Sequence, residues 1–337
     1  MPKFHDFPQI LASVNDLSEP QIQDILNFSL KLKNPQFRTE IQKQYKDAEL
    51  LSIAHLFFEN STRTLYSFYQ AAKLLGLNPV NIPVANSSLT KGEAIDETLM
   101  TFAAQGFCLS IIRTSDDHFF DKVKKLPIPL LNAGNGQTEH PTQALLDLLT
   151  LLDISNGNFE SLKNKKIAFV GDLKHSRVAK SHFRLLPKFA MKVIAIAPEE
   201  FMVSQNEKEA FASSVEYTQN FHSQIKDLDY LYMLRVQNER HNKDADISFS
   251  LDQYIKSYGL KHSDLKENPN LFVFHPGPAN IGVEITQEVA DSKNYQAYLQ
   301  VENSTFLRAA LIHYAINSFE YSFNPFRNPI LKTRKSI

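Results

Sequence analysis

Short apolar segments alternate with helical patterns along this chain, the order that is typical of α/β proteins with parallel sheets. Seven segments are rich in Ile, Val, Phe and Leu, as expected for strands that helices cover on both faces. They span residues 52–58, 107–113, 128–131, 166–171, 192–197, 229–234 and 271–275. Helical patterns predict helices over residues 16–33, 64–75 and 142–153. Asp16 or Ser18 is expected to cap the first helix and Gly76 to end the second.

The length of 337 residues suggests two domains. A polar stretch over residues 155–165 follows the apolar helix, and its Asn156-Gly157-Asn158 sequence is a turn signal. We therefore place a domain boundary near residue 150. The tail, residues 321–337, carries two prolines and four basic residues. We expect a loosely packed end, with a partner-binding tail as the less favoured alternative.

The composition narrows the class of protein. With 36 basic and 37 acidic side chains, the net charge is −1, which gives no reason to expect a nucleic-acid or membrane-surface partner. Hydrophobic residues at 43% argue against disorder. The single cysteine, Cys108, excludes an intramolecular disulfide framework and favours a reducing compartment. No apolar run approaches the ~18 residues that span a bilayer, and the N-terminus lacks the features of a signal peptide, so we expect a cytoplasmic protein.

Unusual polar clusters fall at the predicted carboxyl ends of the strands. In open parallel sheets, ligands bind in the crevice outside those ends. The clusters lie at residues 59–64, 134–143, 172–177, 235–237 and 275–278, and Arg113 ends a further strand. This order predicts a ligand site along that edge of the sheets.

The segment Ser61-Thr62-Arg63-Thr64 opens a predicted helix. A helix N-terminus offers unpaired N–H groups and a positive dipole end, to which the hydroxyls and Arg63 add donors and charge. Such a segment suits a phosphate group. The alternative is an ordinary helix cap, because Ser and Thr are favoured there in any case.

The segment His140-Pro141-Thr142-Gln143 repeats the design at the next helix. Pro141 suits the first helical position, so His140 lies where the dipole disfavours a charged imidazole. A neutral imidazole can donate to a carbonyl oxygen, with Gln143 one turn further on. The alternative is a buried structural histidine.

Arg177 and Arg235 lie at strand ends in the second half of the chain, where two arginines could bind two carboxylates. The alternative for each is surface ion pairing. Lys91, in a polar loop, would by itself be interpreted as a solvated lysine.

Taken together, six motifs resemble one known family in their order and spacing. The motifs are Phe57-Phe58-Glu59-Asn60-Ser61-Thr62-Arg63-Thr64, Ser88-Leu89-Thr90-Lys91-Gly92-Glu93, His140-Pro141-Thr142-Gln143, Gly171-Asp172-Leu173-Lys174, Arg235-Val236-Gln237 and His275-Pro276-Gly277-Pro278. From about residue 5 to about residue 320, the chain resembles the catalytic chains of the aspartate carbamoyltransferase family.

The resemblance implies that carbamoyl phosphate and L-aspartate react to give N-carbamoyl-L-aspartate and phosphate, the committed step of pyrimidine biosynthesis. It implies a carbamoyltransferase fold of two domains, each a mostly parallel sheet flanked by helices. Residues 1–150 would bind carbamoyl phosphate and residues 151–300 aspartate, with a helix at about 301–320 returning to the first domain. It also implies a homotrimer with shared active sites, no organic cofactor and no catalytic metal. Regulatory chains or a dihydroorotase are left open as partners.

The same resemblance implies roles for individual residues. Carbamoyl phosphate binding is implied for Ser61, Thr62, Arg63, Thr64, Arg113, His140, Gln143, Pro276, Gly277 and Pro278. Catalytic stabilisation of the carbonyl oxygen and leaving phosphate is implied for Arg63, Thr64, Arg113 and His140. Aspartate binding is implied for Lys91, Arg177, Arg235 and Gln237. A loop with Ser88 and Lys91 would enter the neighbouring subunit's site, and a charge set linking the closed domains would comprise Glu59, Arg177 and Arg240.

The chain departs from the family pattern in a few places. The family usually has Arg and then Glu where this chain has Leu65 and Tyr69, so we expect an apolar contact in place of a charge pair. Ile281 stands where related sequences often have Arg, so any role of that arginine is absent. Ser304 follows Asn303 where Gly is common, and we expect an altered turn there.

Three alternative classes fit the sequence less well. Ornithine carbamoyltransferases share the phosphate and histidine motifs but usually carry His-Cys-Leu-Pro where this chain has residues 275–278, and Arg235 favours a carboxylate over a cationic side chain. A non-catalytic scaffold homologue would be signalled by loss of the phosphate-loop or histidine residues, which are all present. A nucleotide-binding oxidoreductase is disfavoured because no G-x-G-x-x-G motif follows a strand.

Overall fold

The computed structural model of the protein describes residues 7–45, 51–83, 93–236 and 250–319. Contacts divide the chain into two compact units. The first comprises the described residues of Met1–Leu149 and Val301–Ile337, and the second is Thr150–Gln300. The chain passes from one unit to the other within two helices, Pro141–Ile154 and Ala297–Ser318.

The first unit is built on a parallel sheet of five strands. These are β1 (Ile10–Leu11), β2 (Ser52–Phe57), β3 (Asn78–Ile82), β4 (Phe107–Thr114) and β5 (Leu130–Asn135). Their order across the sheet is β1-β5-β4-β2-β3, so β4 lies at the centre. Its helices are α1 (Glu19–Leu32), α2 (Pro35–Gln44), α3 (Thr62–Leu74), α4 (Ile95–Ala104) and most of α5 (Pro141–Ile154). Part of the core lies between the sheet and α4, where Leu56, Leu99 and Ile112 are fully buried.

The second unit repeats this architecture. Its strands are β6 (Lys166–Val170), β7 (Lys192–Ile196), β8 (Val215–Thr218), β9 (Tyr230–Met233) and β10 (Phe272–Phe274), parallel and in the order β10-β9-β6-β7-β8. Three aromatic rings stack across neighbouring strands: Phe169 on Tyr232 at 5.1 Å, and Tyr232 on Phe274 at 6.3 Å. The helices are α6 (Arg177–Leu185), α7 (Gln205–Ala210), α8 (Leu251–Tyr258), α9 (His262–Glu267), α10 (Gln287–Ala290) and α11 (Ala297–Ser318), the last of which continues into the first unit.

The predicted α/β class with parallel sheets is confirmed, and each of the seven apolar segments overlaps a strand. The prediction for residues 128–131 is wrong at its carboxyl end, since β5 continues through the polar residues up to Asn135. The sequence did not predict β1, β3 or β8. All three are edge strands, which need no continuous apolar run, and β3 contains Pro79, which an edge tolerates.

The helix predictions are confirmed to within three residues at each end. Ser18 caps α1 in a capping box with Gln21, whereas Asp16 lies in a preceding 3-10 turn, so the expectation that Asp16 caps α1 is wrong. Helix α3 ends as predicted, because Gly76 follows its cap with φ +79°. The last helix begins earlier than expected, at Ala297.

Candidate functional site

The N-terminus of α3 lies at the carboxyl end of β2. Ser61 occupies the cap position in extended backbone, but its side chain makes no capping hydrogen bond. The N–H groups of the first turn, Thr62 to Thr64, therefore have no carbonyl partner within the helix, and the helix dipole is positive there. Thr64 is buried and Arg63 is exposed. The ordinary-cap interpretation is weakened, because the Ser61 hydroxyl does not serve the helix.

Arg113 lies beside this helix terminus, paired in register with Phe57 on the neighbouring strand. Its Nε lies 3.4 Å from Oε2 of Glu59, and Nη1 donates to the carbonyl of Ala133 at 3.3 Å. The backbone adds a bond, since the Phe58 N–H donates to the Arg113 carbonyl at 2.8 Å. The guanidinium is thus fixed at the edge where the sequence predicted an anion site, and it lies in the same unit as Glu59, with which it pairs.

The loop from β5 to α5 is held against β4. The N–H of Gly136 donates to the carbonyl of Thr114 at 2.9 Å. Oδ1 of Asp117 accepts the N–H of Gln137 at 2.7 Å and the hydroxyl of Thr138. Gly136 adopts φ +45°, and a Cβ there would overlap the Asp117 carboxylate. Only glycine fits this turn, which sets the position of the following histidine.

His140 directly precedes α5, which begins at Pro141 as predicted. The His140 carbonyl accepts the N–H groups of Gln143 at 3.0 Å and Ala144 at 3.3 Å. The His140 side chain is 4% exposed. One turn on, the side-chain nitrogen of Gln143 donates to both carboxylate oxygens of Asp147, at 3.1 and 3.2 Å. Asp147 is 2% exposed and was not predicted as a site residue.

A second unpredicted residue, Arg308, comes from α11. Its guanidinium is buried and lies over the ring of Phe68 at 4.8 Å, one turn along α3 from Thr64. Burial, reinforced by the charge of Arg113, lowers the pKa of Arg308 to about 9, and Asp147 opposes that shift. A lone arginine in the apolar stretch of residues 305–312 was the available signal.

In the second unit, the carboxyl end of β6 is organised by Asp172. Its carboxylate is fully buried and contacts Nδ1 of His175 at 2.9 and 3.1 Å. Ser176 caps α6 by accepting the N–H of Ala179 at 3.1 Å. Arg177, the first residue of that helix, is half-buried. These contacts fix the chain around one of the two predicted carboxylate-binding arginines.

Glu284 organises the ends of β9 and β10. Its buried carboxylate accepts the N–H of Val236 at 2.8 Å, the N–H of Asn280 at 2.5 Å and the Asn280 side-chain amide at 2.7 Å. Nε2 of His275 lies 3.7 Å from it. Since the Gly277 N–H donates to His275 Nδ1 at 2.8 Å, the neutral ring carries its proton on Nε2. Glu284 therefore holds both the segment after Arg235 and the 276–278 loop. Its position between the apolar residues Val283 and Ile285 was the available signal, and a weak one.

Several residues with predicted roles lie outside the part of the chain that the structure describes. Ser88, Lys91, Gln237 and Arg240 lie outside the described residues, as does the tail. Tyr69 is half-buried, with the Lys73 ammonium 6.0 Å from its ring centroid.

Three further residues at which the chain departs from the family pattern are among those that the structure describes. Ile281 is exposed. The expected turn at Ser304 is wrong, because this residue lies inside α11, where its hydroxyl is 2.7 Å from that of Ser67. Leu65, on α3, is half-buried.

Within the described ranges, no group of three or more His, Cys, Asp or Glu side chains is arranged to hold a metal ion. In the same ranges, no helix combines the length and apolar character that a membrane crossing requires.

Comparison with known proteins places the chain in a family. The profile described as "Aspartate/ornithine carbamoyltransferase, carbamoyl-P binding domain" matches residues 9–153, and the corresponding "Asp/Orn binding domain" matches residues 163–315. This chain belongs to the aspartate/ornithine carbamoyltransferase family. In this carbamoyltransferase, the residues matched by the carbamoyl-P binding profile include the α3 N-terminus, Arg113, His140 and Gln143. The residues matched by the Asp/Orn binding profile include Arg177, Arg235 and residues 276–278.

Individual relatives of the carbamoyltransferase are similar along nearly the whole chain. An aspartate carbamoyltransferase catalytic subunit of Malacoplasma penetrans is 37% identical over 311 residues, covering 91% of this chain and 96% of the relative. One of Solibacter usitatus is 38% identical over 314 residues, covering 92% and 99%. The crystal structure of aspartate transcarbamoylase from Trypanosoma cruzi in complex with carbamoyl phosphate and aspartate superposes with a TM-score of 0.75 at 26% identity, covering 92% of this chain and 98% of that one.

Proposed function

We propose that this chain is an aspartate carbamoyltransferase, which transfers the carbamoyl group of carbamoyl phosphate to the amine of L-aspartate in pyrimidine biosynthesis. The observation that carries the proposal is the anion site of the first unit. There the N-terminal turn of α3, which lacks a side-chain cap, lies beside Arg113, whose guanidinium is tied to Glu59 and Ala133. The relatives named above as aspartate carbamoyltransferases support aspartate as the acceptor.

In the proposed reaction, the amine nitrogen of aspartate attacks the carbonyl carbon of carbamoyl phosphate, and negative charge develops on the carbonyl oxygen. Collapse of this intermediate breaks the bond between carbon and the bridging phosphate oxygen, which leaves with the electron pair. Arg63, Thr64 and the first-turn N–H groups of α3 would hold the phosphate. Arg113 and His140 would stabilise the carbonyl oxygen. The departing phosphate is the candidate acceptor for the amine proton, because no side chain among the described residues stands out as a base for it.

For the acceptor, we propose that Arg177 and Arg235 bind the two carboxylates of aspartate through paired N–H donors. Both side chains are half-buried, so their charges are screened less than those of exposed arginines. A second cation, such as the side-chain ammonium of ornithine, would be repelled by the same two guanidinium groups. Gln237 and Lys91 belong to this proposed set through the resemblance.

The Arg63→Ala variant tests the role of the anion site. Removal of a charge that stabilises the transition state should lower kcat by about 10²- to 10³-fold. Arg38→Ala is the matched control, because Arg38 lies on α2 of the same unit with its guanidinium over the ring of Phe306. Full turnover of the Arg63 variant would contradict the proposed mechanism, whereas an equal loss in both variants would show a general effect on folding.

The proposal extends to a cytoplasmic homotrimer in which the loop with Ser88 and Lys91 completes the neighbouring site. Its support is the family resemblance. Mixing inactive Lys91→Ala and Arg113→Ala chains tests it, because a mixed trimer would contain one site with neither substitution. Recovery of activity on mixing is expected, and a monomer in light scattering together with no recovery would contradict it.

A further inference from the structure

We infer that Asp147 is a positioning residue for carbamoyl recognition, which holds the amide of Gln143 so that its oxygen is presented to the amino group of carbamoyl phosphate. The inference rests on the proposed function, because it requires carbamoyl phosphate as the ligand. It assigns a task to a buried carboxylate that the proposed mechanism does not use.

The geometry fixes the orientation of the Gln143 amide. Both carboxylate oxygens of Asp147 lie within hydrogen-bond distance of the Gln143 side-chain nitrogen, at 3.1 and 3.2 Å. An ionised carboxylate accepts hydrogen bonds and cannot donate them. The amino end of the amide must therefore face Asp147, and its oxygen must point away from it. A reversed amide would place oxygen against oxygen.

The surroundings keep this arrangement rigid. Asp147 is 2% exposed, so water does not compete effectively for its oxygens. The buried guanidinium of Arg308 interacts electrostatically with Asp147 and lies over Phe68 of α3. Arg308 thus contacts α3 through Phe68 and acts electrostatically on Asp147 of α5.

The oriented oxygen has a specific chemical use. The amino group of carbamoyl phosphate has two N–H donors and needs acceptors, whereas the phosphate and the carbonyl need donors. The guanidinium groups, the imidazole N–H and the backbone N–H groups proposed at the first-unit site can only donate, and the Ser and Thr hydroxyls would donate to the phosphate. The Gln143 oxygen adds a side-chain acceptor that cannot donate. It would distinguish carbamoyl phosphate from acetyl phosphate, in which a methyl group replaces the amino group.

The experiment measures binding of carbamoyl phosphate and acetyl phosphate by calorimetry, without acceptor. In the Asp147→Asn variant the Gln143 amide is no longer restricted to one orientation, and we expect its preference for carbamoyl over acetyl phosphate to fall about 3- to 10-fold, with acetyl phosphate affinity nearly unchanged. The Asp291→Asn variant is the matched control, since Gln287 and Asp291 form the same i,i+4 pair at 2.9 Å on an exposed helix. It should keep the wild-type preference.

Two double variants separate the orientation of the Gln143 amide from other effects of removing the Asp147 charge. Asp147→Leu combined with Arg308→Met removes both of these buried charges together, and the same loss of preference is expected. In a Gln143→Ala background, Asp147→Asn should add nothing to the loss. Equal weakening of both ligands, an unchanged preference, or a full additional effect without Gln143 would each overturn the inference. Turnover of the wild-type chain with aspartate tests the proposed function separately.

Discussion

A histidine in the middle of β2 should make stability depend on pH. His55 is fully buried, and its ring lies 6.3 Å from that of Phe57 and 6.5 Å from that of Phe68. Within the described part of the chain, neither ring nitrogen has a hydrogen-bond partner. Burial lowers the pKa of His55 to about 4, from an ordinary value of 6.5, because the charged ring loses its hydration.

The direction and the size of the pH effect on the free energy of unfolding follow from the difference between the folded and unfolded pKa values of His55. Between pH 6.5 and pH 4 the unfolded chain binds a proton at His55 that the folded chain does not, so the free energy of unfolding falls as the pH falls. The full difference corresponds to about 3.4 kcal/mol below pH 4. Between pH 7.5 and pH 5, the expected loss is about 2 kcal/mol.

The His55→Leu variant tests this value through urea unfolding at pH 7.5 and pH 5, followed by circular dichroism. Between pH 7.5 and pH 5, the free energy of unfolding of the wild type should fall by about 2 kcal/mol more than that of the variant. The variant should also be the more stable protein at pH 7.5, since an apolar side chain replaces two buried polar atoms. His118→Gln, which removes a side chain that is 80% exposed, should parallel the wild type. Parallel pH dependence of His55→Leu and wild type would refute the reasoning.

Other predictions concern the loops. Gly136→Ala should destabilise the first unit by about 1–3 kcal/mol and weaken carbamoyl phosphate binding, because its Cβ would overlap Asp117. Gly282→Ala, at φ +87° with no atom within 4 Å of its Cβ, should cost only about 1 kcal/mol. If denaturant unfolding shows the same loss of stability for Gly136→Ala and Gly282→Ala, the predicted overlap of the new Cβ with Asp117 is wrong. Glu284→Gln should cost about 1–3 kcal/mol and raise KM for aspartate, because an amide cannot accept all three N–H groups, whereas the exposed Glu288→Gln should not. Unchanged kinetics for Glu284→Gln would argue against its role.

The parallel-sheet cores were predictable because a strand covered on both faces must be apolar along its length. The edge strands were not. Strand β3 carries Asn78, Pro79 and Asn81, a composition that reads as a loop until a neighbouring strand supplies its hydrogen bonds. The carboxyl end of β5 was missed for a related reason. Its polar residues are buried through side-chain bonds, such as Asn132 to Asn135 at 2.7 Å, which no local pattern shows.

Some residues of the candidate site could be predicted from local sequence and others could not. Residues that would touch the ligand lie in short contiguous motifs, so strand ends and helix starts pointed to Arg63, Arg113 and His140. The residues that position them were missed, because their partners are distant in sequence. Glu284 holds Val236 from 48 positions away, and Arg308 reaches Phe68 from another helix. A charged residue inside an apolar stretch indicates a buried, partnered side chain, but the sequence does not show which residue it contacts.

The central claim is tested most directly by phosphate release from carbamoyl phosphate, measured with L-aspartate and separately with L-ornithine as acceptor. The account predicts turnover with aspartate alone, with N-carbamoyl-L-aspartate formed in equal amount to phosphate. Turnover with ornithine, or no turnover with either acceptor in a folded sample that binds carbamoyl phosphate, would contradict it.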